Sequence, residues 1–160
     1  MLIIVTGTPG TGKTFISKKI ASKLKLDYLY IGDVVNRYKL SEGVDKKVNS
    51  KLVDVKKLNS VLIKLIKDSK KDLIIDGHLS HFLPRIYVDL CLVCKCGLKT
   101  LQKRLIKKKY SKVKVRENLD CEIFDVCLVE ALEEKHNVLV VDTSTSIDIG
   151  ELIKKIKGKV

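Results

Sequence analysis

The chain has 160 residues, 45% of them hydrophobic, a length and apolar share that suit one domain with a core needing no metal or disulfide staple. Charges interrupt every apolar stretch before it nears the ~18 residues of a membrane span, and the opening Met1-Leu2-Ile3-Ile4-Val5-Thr6 lacks the basic region of a signal peptide; collagen-like, disordered, secreted disulfide-rich and membrane classes are set aside, and a cytoplasmic protein is expected. Thirty-two basic residues against 19 acidic give a net charge of +13, a field that attracts polyanions, while 5% aromatics and no Trp argue against a nucleic-acid reader built on stacking platforms.

The elements alternate along the chain. Leu2–Thr6 is a short apolar strand that runs into a Gly-rich turn. Ile16, Ile20, Ala21 and Leu24 then recur at helical spacing over residues 13–26. Residues 28–31 form a second strand, ended by Gly32-Asp33. Residues 53–66 carry Val55, Leu58, Val61, Leu62, Leu65 and Ile66 on one helical face. Leu73–Asp76 is a third strand, apolar enough to be buried on both faces.

The run from Tyr87 to Cys94 reads as the fourth strand. It holds two of the five cysteines, and Cys96 lies two residues on. Strand alternation puts Cys94 and Cys96 on one face and Cys91 on the other, so the three do not converge on a metal and are expected as small core hydrophobes. An odd cysteine count with no secretory context points to reduced thiols. Helices follow at 98–108 and 117–134, then the strand Val138–Asp142 and a basic helix at 148–157. Such alternation predicts an α/β three-layer fold around a parallel sheet, residues 1–160 forming one domain.

One motif carries chemistry. Gly7-Thr8-Pro9-Gly10-Thr11-Gly12-Lys13-Thr14 matches G-x-x-x-x-G-K-[ST], preceded by a strand and followed by an amphipathic helix. Glycines there let backbone N–H groups turn inward around an anion, and the helix opening near Lys13 adds its positive end. Lys13 is placed to reach the β- and γ-phosphates of ATP, and Thr14 to hold Mg²⁺; the competing reading is a turn that binds nothing. Phosphoryl transfer also needs a carboxylate at the end of a neighbouring buried strand. Asp76 occupies such a position, although an acid there can also be a cap. His78, two residues on, either orients water or acceptor or packs in the turn.

From Lys103 to Arg116 the chain holds eight basic residues and no acid, including Arg104, Lys108 and Arg116. Tyr110-Ser111 interrupts the helical pattern midway, which suits a lid over phosphates, an RNA-facing patch, or a solvated helix face. Arg37, Arg85, Arg104 and Arg116 are the only arginines and hence the available bidentate clamps for an acceptor phosphate.

Taken with Ile31-Gly32-Asp33, Ile75-Asp76-Gly77-His78 and Glu117-Asn118-Leu119-Asp120-Cys121-Glu122-Ile123-Phe124, the phosphate loop resembles that of the small atypical adenylate kinases of archaea and eukaryotic nuclei, the coilin-interacting nuclear ATPase type. The resemblance runs from about residue 2 to 131. It implies a five-stranded P-loop NTPase fold of the nucleoside monophosphate kinase kind, with a monophosphate arm at about 30–53 and a short lid at about 107–117. It also implies transfer from Mg-ATP to AMP with accompanying ATPase activity, and service to small ribosomal subunit maturation beside a platform ribosomal protein and rRNA. A nuclear location would follow in a eukaryote. Carried over by position, Gly7, Gly10, Thr11, Gly12, Lys13, Thr14, Phe15 and Lys108 serve the triphosphate, Asp76 and His78 the Walker B element, and Gly32 and Asp33 the arm. The chain departs from the family at Lys108 and Asn36, where arginines are common, at Asp45-Lys46-Lys47, where the arm is usually acidic, and by one residue fewer before Arg85. The alternatives are an ATP-gated ribosome-assembly factor with little kinase activity, and a small kinase acting on another acceptor.

Overall fold

Alternate residues of β1 (Leu2–Thr6) serve two different cores, and this one strand organises the molecule. In the computed structural model, which describes residues 1–46 and 50–160, Leu2 and Ile4 pack with Leu58, Leu62, Ile75 and Cys91, whereas Ile3 and Val5 pack with Ile16, Ile20, Ile74 and Leu92. A strand buried on both faces needs helices on both sides. On one side lie α2 (Ile31–Arg37), α3 (Val55–Asp68) and α6 (Val126–Glu133); on the other, α1 (Lys13–Leu24) and α7 (Ile149–Lys157).

The sheet has five parallel strands in the order β2-β5-β1-β6-β7, with β2 Asp27–Tyr30, β5 Leu73–Asp76, β6 Leu90–Lys95 and β7 Val138–Asp142. This is the three-layer parallel P-loop NTPase architecture expected from the alternating elements. In register, Val5 lies beside Asp76 of β5 and Leu92 of β6. The turn after β1 and the acid ending β5 therefore meet at one edge of the sheet, in the crevice where open parallel sheets bind ligands.

Four stretches differ from the expectations. Ile31-Gly32-Asp33 begins α2 rather than ending a strand, because Ile31, Val34 and Val35 present a buried i, i+3, i+4 face. Beyond it, β3 (Ser41–Asp45) and β4 (Ser50–Val53) form an antiparallel hairpin that no apolar alternation announces; of the Asp45-Lys46-Lys47 stretch, Lys47 lies outside the described residues. The expected helix 117–134 is two helices: α5 (Lys112–Ile123) starts earlier, where Ser111 caps it by accepting from Lys114 N at 3.2 Å, and ends before Asp125, which is left-handed at φ 53°. Tyr87 belongs to a single 3₁₀ turn, Arg85–Tyr87, and β6 starts only at Leu90. The three neighbouring cysteines are buried in three separate clusters, Cys91, Cys94 and Cys96 each in its own, so they do not converge.

Candidate functional site

The turn after β1 depends on glycine where the backbone is left-handed and crowded. Gly7 has φ +136°, and a Cβ there would sit 2.3 Å from the Cys94 carbonyl oxygen; at Gly10, φ +92°, it would press on Leu105 at 2.9 Å. Two such positions three residues apart curl the loop against β6 and α4 (Leu98–Lys107). α1 starts at Lys13, so its unpaired N–H groups open into the same space. The Lys13 ammonium donates to Gly7 O at 2.7 Å and Thr8 O at 3.0 Å. Burial pushes its pKa down, against the pull of Cys94 and Asp76.

Asp76 is fully buried. Its Oδ2 accepts from Thr14 Oγ1 at 2.7 Å and from the Tyr28 hydroxyl at 2.8 Å. Its Oδ1 has no hydrogen-bond partner among the described residues. A buried carboxylate oxygen left without a donor is costly, and here it lies beside a threonine hydroxyl held by the same acid. That pair of hard oxygen ligands fits a hydrated divalent cation such as Mg²⁺. Tyr28 was not singled out from sequence; it follows from β2 pairing with β5, which sets Tyr28 next to Ile74. Burial first, then the hydrogen bond to Asp76, pushes the Tyr28 phenol's pKa up.

His78 reaches solvent, yet desolvation and then the Lys13 and Lys114 cations hold its pKa down to about 4. It is therefore a neutral imidazole near pH 7. Lys108 caps α4, and its charge helps lower the pKa of Lys13. Tyr30, whose phenol is pushed up by burial and then by Asp76, Asp33 and Tyr110, sits between the acid and α2. Lys108 is thus within electrostatic reach of Lys13, and Tyr110 of Tyr30.

The four arginines available as clamps lie in four different surroundings. Arg104 donates to Thr143 Oγ1 at 3.2 Å and Thr143 O at 2.7 Å, and Thr143 Oγ1 donates to Thr11 O at 2.6 Å. Arg104 thus backs the phosphate loop, because the loop after β7 offers it oxygens at the right height. Arg116 pairs with Asp120 one helical turn away, at 3.0 Å, on the exposed face of α5. Arg85 is exposed in the segment that carries the chain back toward the start of β6, where Asp89 bonds to Leu2. Arg37 ends α2, exposed, with Asp33 exposed on the same helix and Gly32 against the Tyr30 ring. Phe15 is 60% exposed on α1. Asn36 accepts from Lys51 of the hairpin.

Two buried polar clusters flank the loop. The Thr8 hydroxyl donates to Glu122 Oε2 at 2.7 Å. His81, buried, meets Thr6 Oγ1 through Nδ1 at 2.6 Å and Glu130 Oε2 through Nε2 at 2.9 Å, with Cys127 close by. The ligand atoms of His81, Cys127 and Glu130 lie within 4.8 Å of one another, with His81 Nδ1 held by Thr6 and its Nε2 by Glu130 itself.

The sequence model of the AAA domain family matches residues 3–125. Curated archaeal relatives span nearly the whole chain. A protein named "Putative adenylate kinase" from Thermococcus kodakarensis is 43% identical over 90% of this chain and 77% of its own length. Its namesake from Methanocaldococcus jannaschii is 36% identical over 99% of this chain and 88% of its own. The chain belongs to this archaeal adenylate kinase-like family. Among solved structures, deoxyadenosine kinase from M. mycoides with bound dATP covers 98% of the chain and 99% of its own, with TM-score 0.64 at 18% identity, a likeness of fold. In the family member described here, no helix among the described residues is long and apolar enough to cross a membrane.

Proposed function

We propose that this adenylate kinase-like protein transfers a phosphoryl group from Mg-ATP to AMP, residues 1–160 acting as one kinase domain with an arm at about 30–53 and a lid at about 107–117. The observation that carries the reading is Asp76, with one oxygen held by Thr14 and Tyr28 and the other buried and free beside the phosphate loop. Gly7, Gly10, Thr11, Gly12 and Thr14 surround the triphosphate with backbone donors and Lys13 meets it as a cation, while Phe15 borders it on α1. Thr14 and Asp76 would hold Mg²⁺, which supplies charge neutralisation between the phosphates when bound. No covalent intermediate is required; positioning and cationic stabilisation suffice. Lys13 and Lys108 supply cations to the transferring group, and neutral His78 accepts a hydrogen bond from the acceptor or from a water. The names of the archaeal relatives support the reaction type.

Of the acceptor clamps, Gly32, Asp33 and Arg37 remain on the arm side, whereas Arg104 and Arg116 have other partners. The altered arm sequence, with Asn36 where arginine is common, and the +13 charge favour a second reading: an ATP-gated factor in small-subunit maturation, contacting a platform ribosomal protein or rRNA, with kinase activity residual. ATP turnover with Mg²⁺, with and without AMP, separates the two. A kinase forms two ADP per AMP consumed, well ahead of phosphate release. Phosphate release indifferent to AMP sinks the kinase reading and leaves the ATPase.

A further inference from the structure

The Glu117–Phe124 stretch contains a buried carboxylate that the proposed chemistry does not use. Glu122, near the end of α5, is 7% exposed, unusual for a carboxylate on a helix whose neighbours Ile123 and Phe124 face solvent. Its two oxygens reach two different parts of the molecule. Oε2 accepts from the Thr8 hydroxyl in the phosphate loop at 2.7 Å. Oε1 accepts from the Cys96 backbone N–H at 2.8 Å, where β6 leaves the sheet for α4, and Lys95 Nζ stands 3.8 Å away, itself paired with Asp125.

Each of these attachments has a consequence. Thr8 is the hub of the loop: its carbonyl accepts from Thr11 N at 3.2 Å, Thr11 Oγ1 at 2.8 Å and Lys13 Nζ at 3.0 Å. Fixing the Thr8 side chain therefore fixes the carbonyl that sets the turn and parks the lysine. Cys96 is the base of α4, and Glu122 belongs to α5; these two helices bracket the 108–111 connection and pack together through Leu101, Leu105 and Val115. One carboxylate thus ties both helices that support the connection to the phosphate loop. Replacing it by an apolar group would strand a buried hydroxyl and a buried N–H at once.

We propose that Glu122 is a positioning residue that couples α4 and α5, the helices carrying the lid segment, to the phosphate loop through Thr8, so that the loop's anion-receptive shape depends on this one carboxylate. It rests on the nucleotide-binding half of the function proposed above and not on the identity of the acceptor. A glutamine is an adequate substitute on geometric grounds. Its carbonyl can accept from Cys96 N and its amide can donate to the Thr8 oxygen. Alanine and leucine are not.

The test measures equilibrium binding of a fluorescent ATP analogue with Mg²⁺ to the full chain, together with hydrogen exchange of the loop amides at Thr11, Gly12 and Lys13. T8V should weaken binding about tenfold, the effect of losing one hydrogen bond to a buried carboxylate, and E122A, which strands both the Thr8 hydroxyl and the Cys96 N–H, by at least as much. Both should speed exchange of those amides. E122Q should recover affinity to within about threefold of the unaltered chain, and the E122A/T8V double variant should bind no worse than E122A, because both act through one contact. Wild-type affinity and exchange in a cooperatively folded E122A variant would overturn the coupling, as would single effects that multiply in the double variant. Where E122A does not fold, T8V decides alone: unchanged binding and exchange there overturn it equally. If the unaltered chain binds the analogue but leaves AMP untouched, the kinase reading fails and the Glu122 coupling stands. If it binds no nucleotide, the exchange measurement still decides the coupling.

Discussion

Asp76 and Lys13 are the residues whose chemistry is least replaceable, for opposite electrostatic reasons. Lys13 is a cation held by two carbonyls, which an incoming phosphate would outbid with full negative charge. Asp76 is an anion whose Oδ1 is buried without a donor. An asparagine at 76 can still accept from Thr14 and Tyr28 but offers a metal no charge. D76N should therefore lower Mg-ATP turnover by about 100-fold or more while the fold and metal-free nucleotide binding persist; titrating Mg²⁺ against turnover and melting the variant separately checks both parts. A D76N protein as active as the parent would remove Asp76 from the reaction. Lys13, Thr14 and Asp76 were legible because a local spacing and an acid closing an apolar run announce them. Tyr28 was not, since its partner lies 48 residues away and only strand pairing brings them together. Nor can a count of arginines say that Arg104 meets the Thr143 oxygens.

At the scale of elements, helix ends carry both good and poor local chemistry. Asp54 caps α3, accepting at Oδ1 from Lys56 N at 2.8 Å and Lys57 N at 3.2 Å. D54A should cost about 1 kcal/mol. Lys25 closes α1 in the left-handed region at φ 57° with an exposed side chain, a conformation that costs a non-glycine residue about 1 kcal/mol. K25G should accordingly raise the melting temperature by roughly 2–4 °C in a chain of this size, and D54A lower it by a similar amount. Thermal melts of the two single variants check the signs, and K25G melting below the parent would contradict the assignment of strain. The three inner strands β1, β5 and β6 were legible because doubly buried strands must be continuously apolar. The β3–β4 hairpin was not: Ser41–Asp45 has no residue buried on either face, so no alternation marks it. The break at Asp125 was equally silent. Apolar residues continue at helical spacing through it, and only the left-handed backbone turns α6 away from α5.

The molecule as a whole joins its sheet edge to α6 through one histidine, His81, that burial keeps neutral, and this couples the fold to pH. His81 is buried at 1% exposure between Thr6 and Glu130, with the His136 ring donating to its carbonyl oxygen at 2.8 Å. Burial first, and then His78 and His136, hold its pKa down to about 4 from 6.5, despite the carboxylate at 2.9 Å. The unfolded chain takes up this proton near pH 6.5, whereas the folded chain refuses it until about 4. As pH falls through that window the unfolded state binds more protons, so stability declines; above it both states are neutral and the histidine contributes nothing. Glu130, pushed up mainly by burial, holds its own proton longer in the folded state and opposes the decline at the lower end. The His81 share should still be of order 2 kcal/mol by pH 4.5. Urea unfolding at pH 7.5, 6.5, 5.5 and 4.5 would show the parent losing stability fastest below 6.5. H81Q, less stable at every pH for want of the imidazole's hydrogen bonds, should show a shallower slope over the same window. Parallel slopes in the two proteins would mean that His81 is protonated in the folded state, and the Thr6–His81–Glu130 chain would then be an ion pair rather than a neutral relay joining β1 to α6.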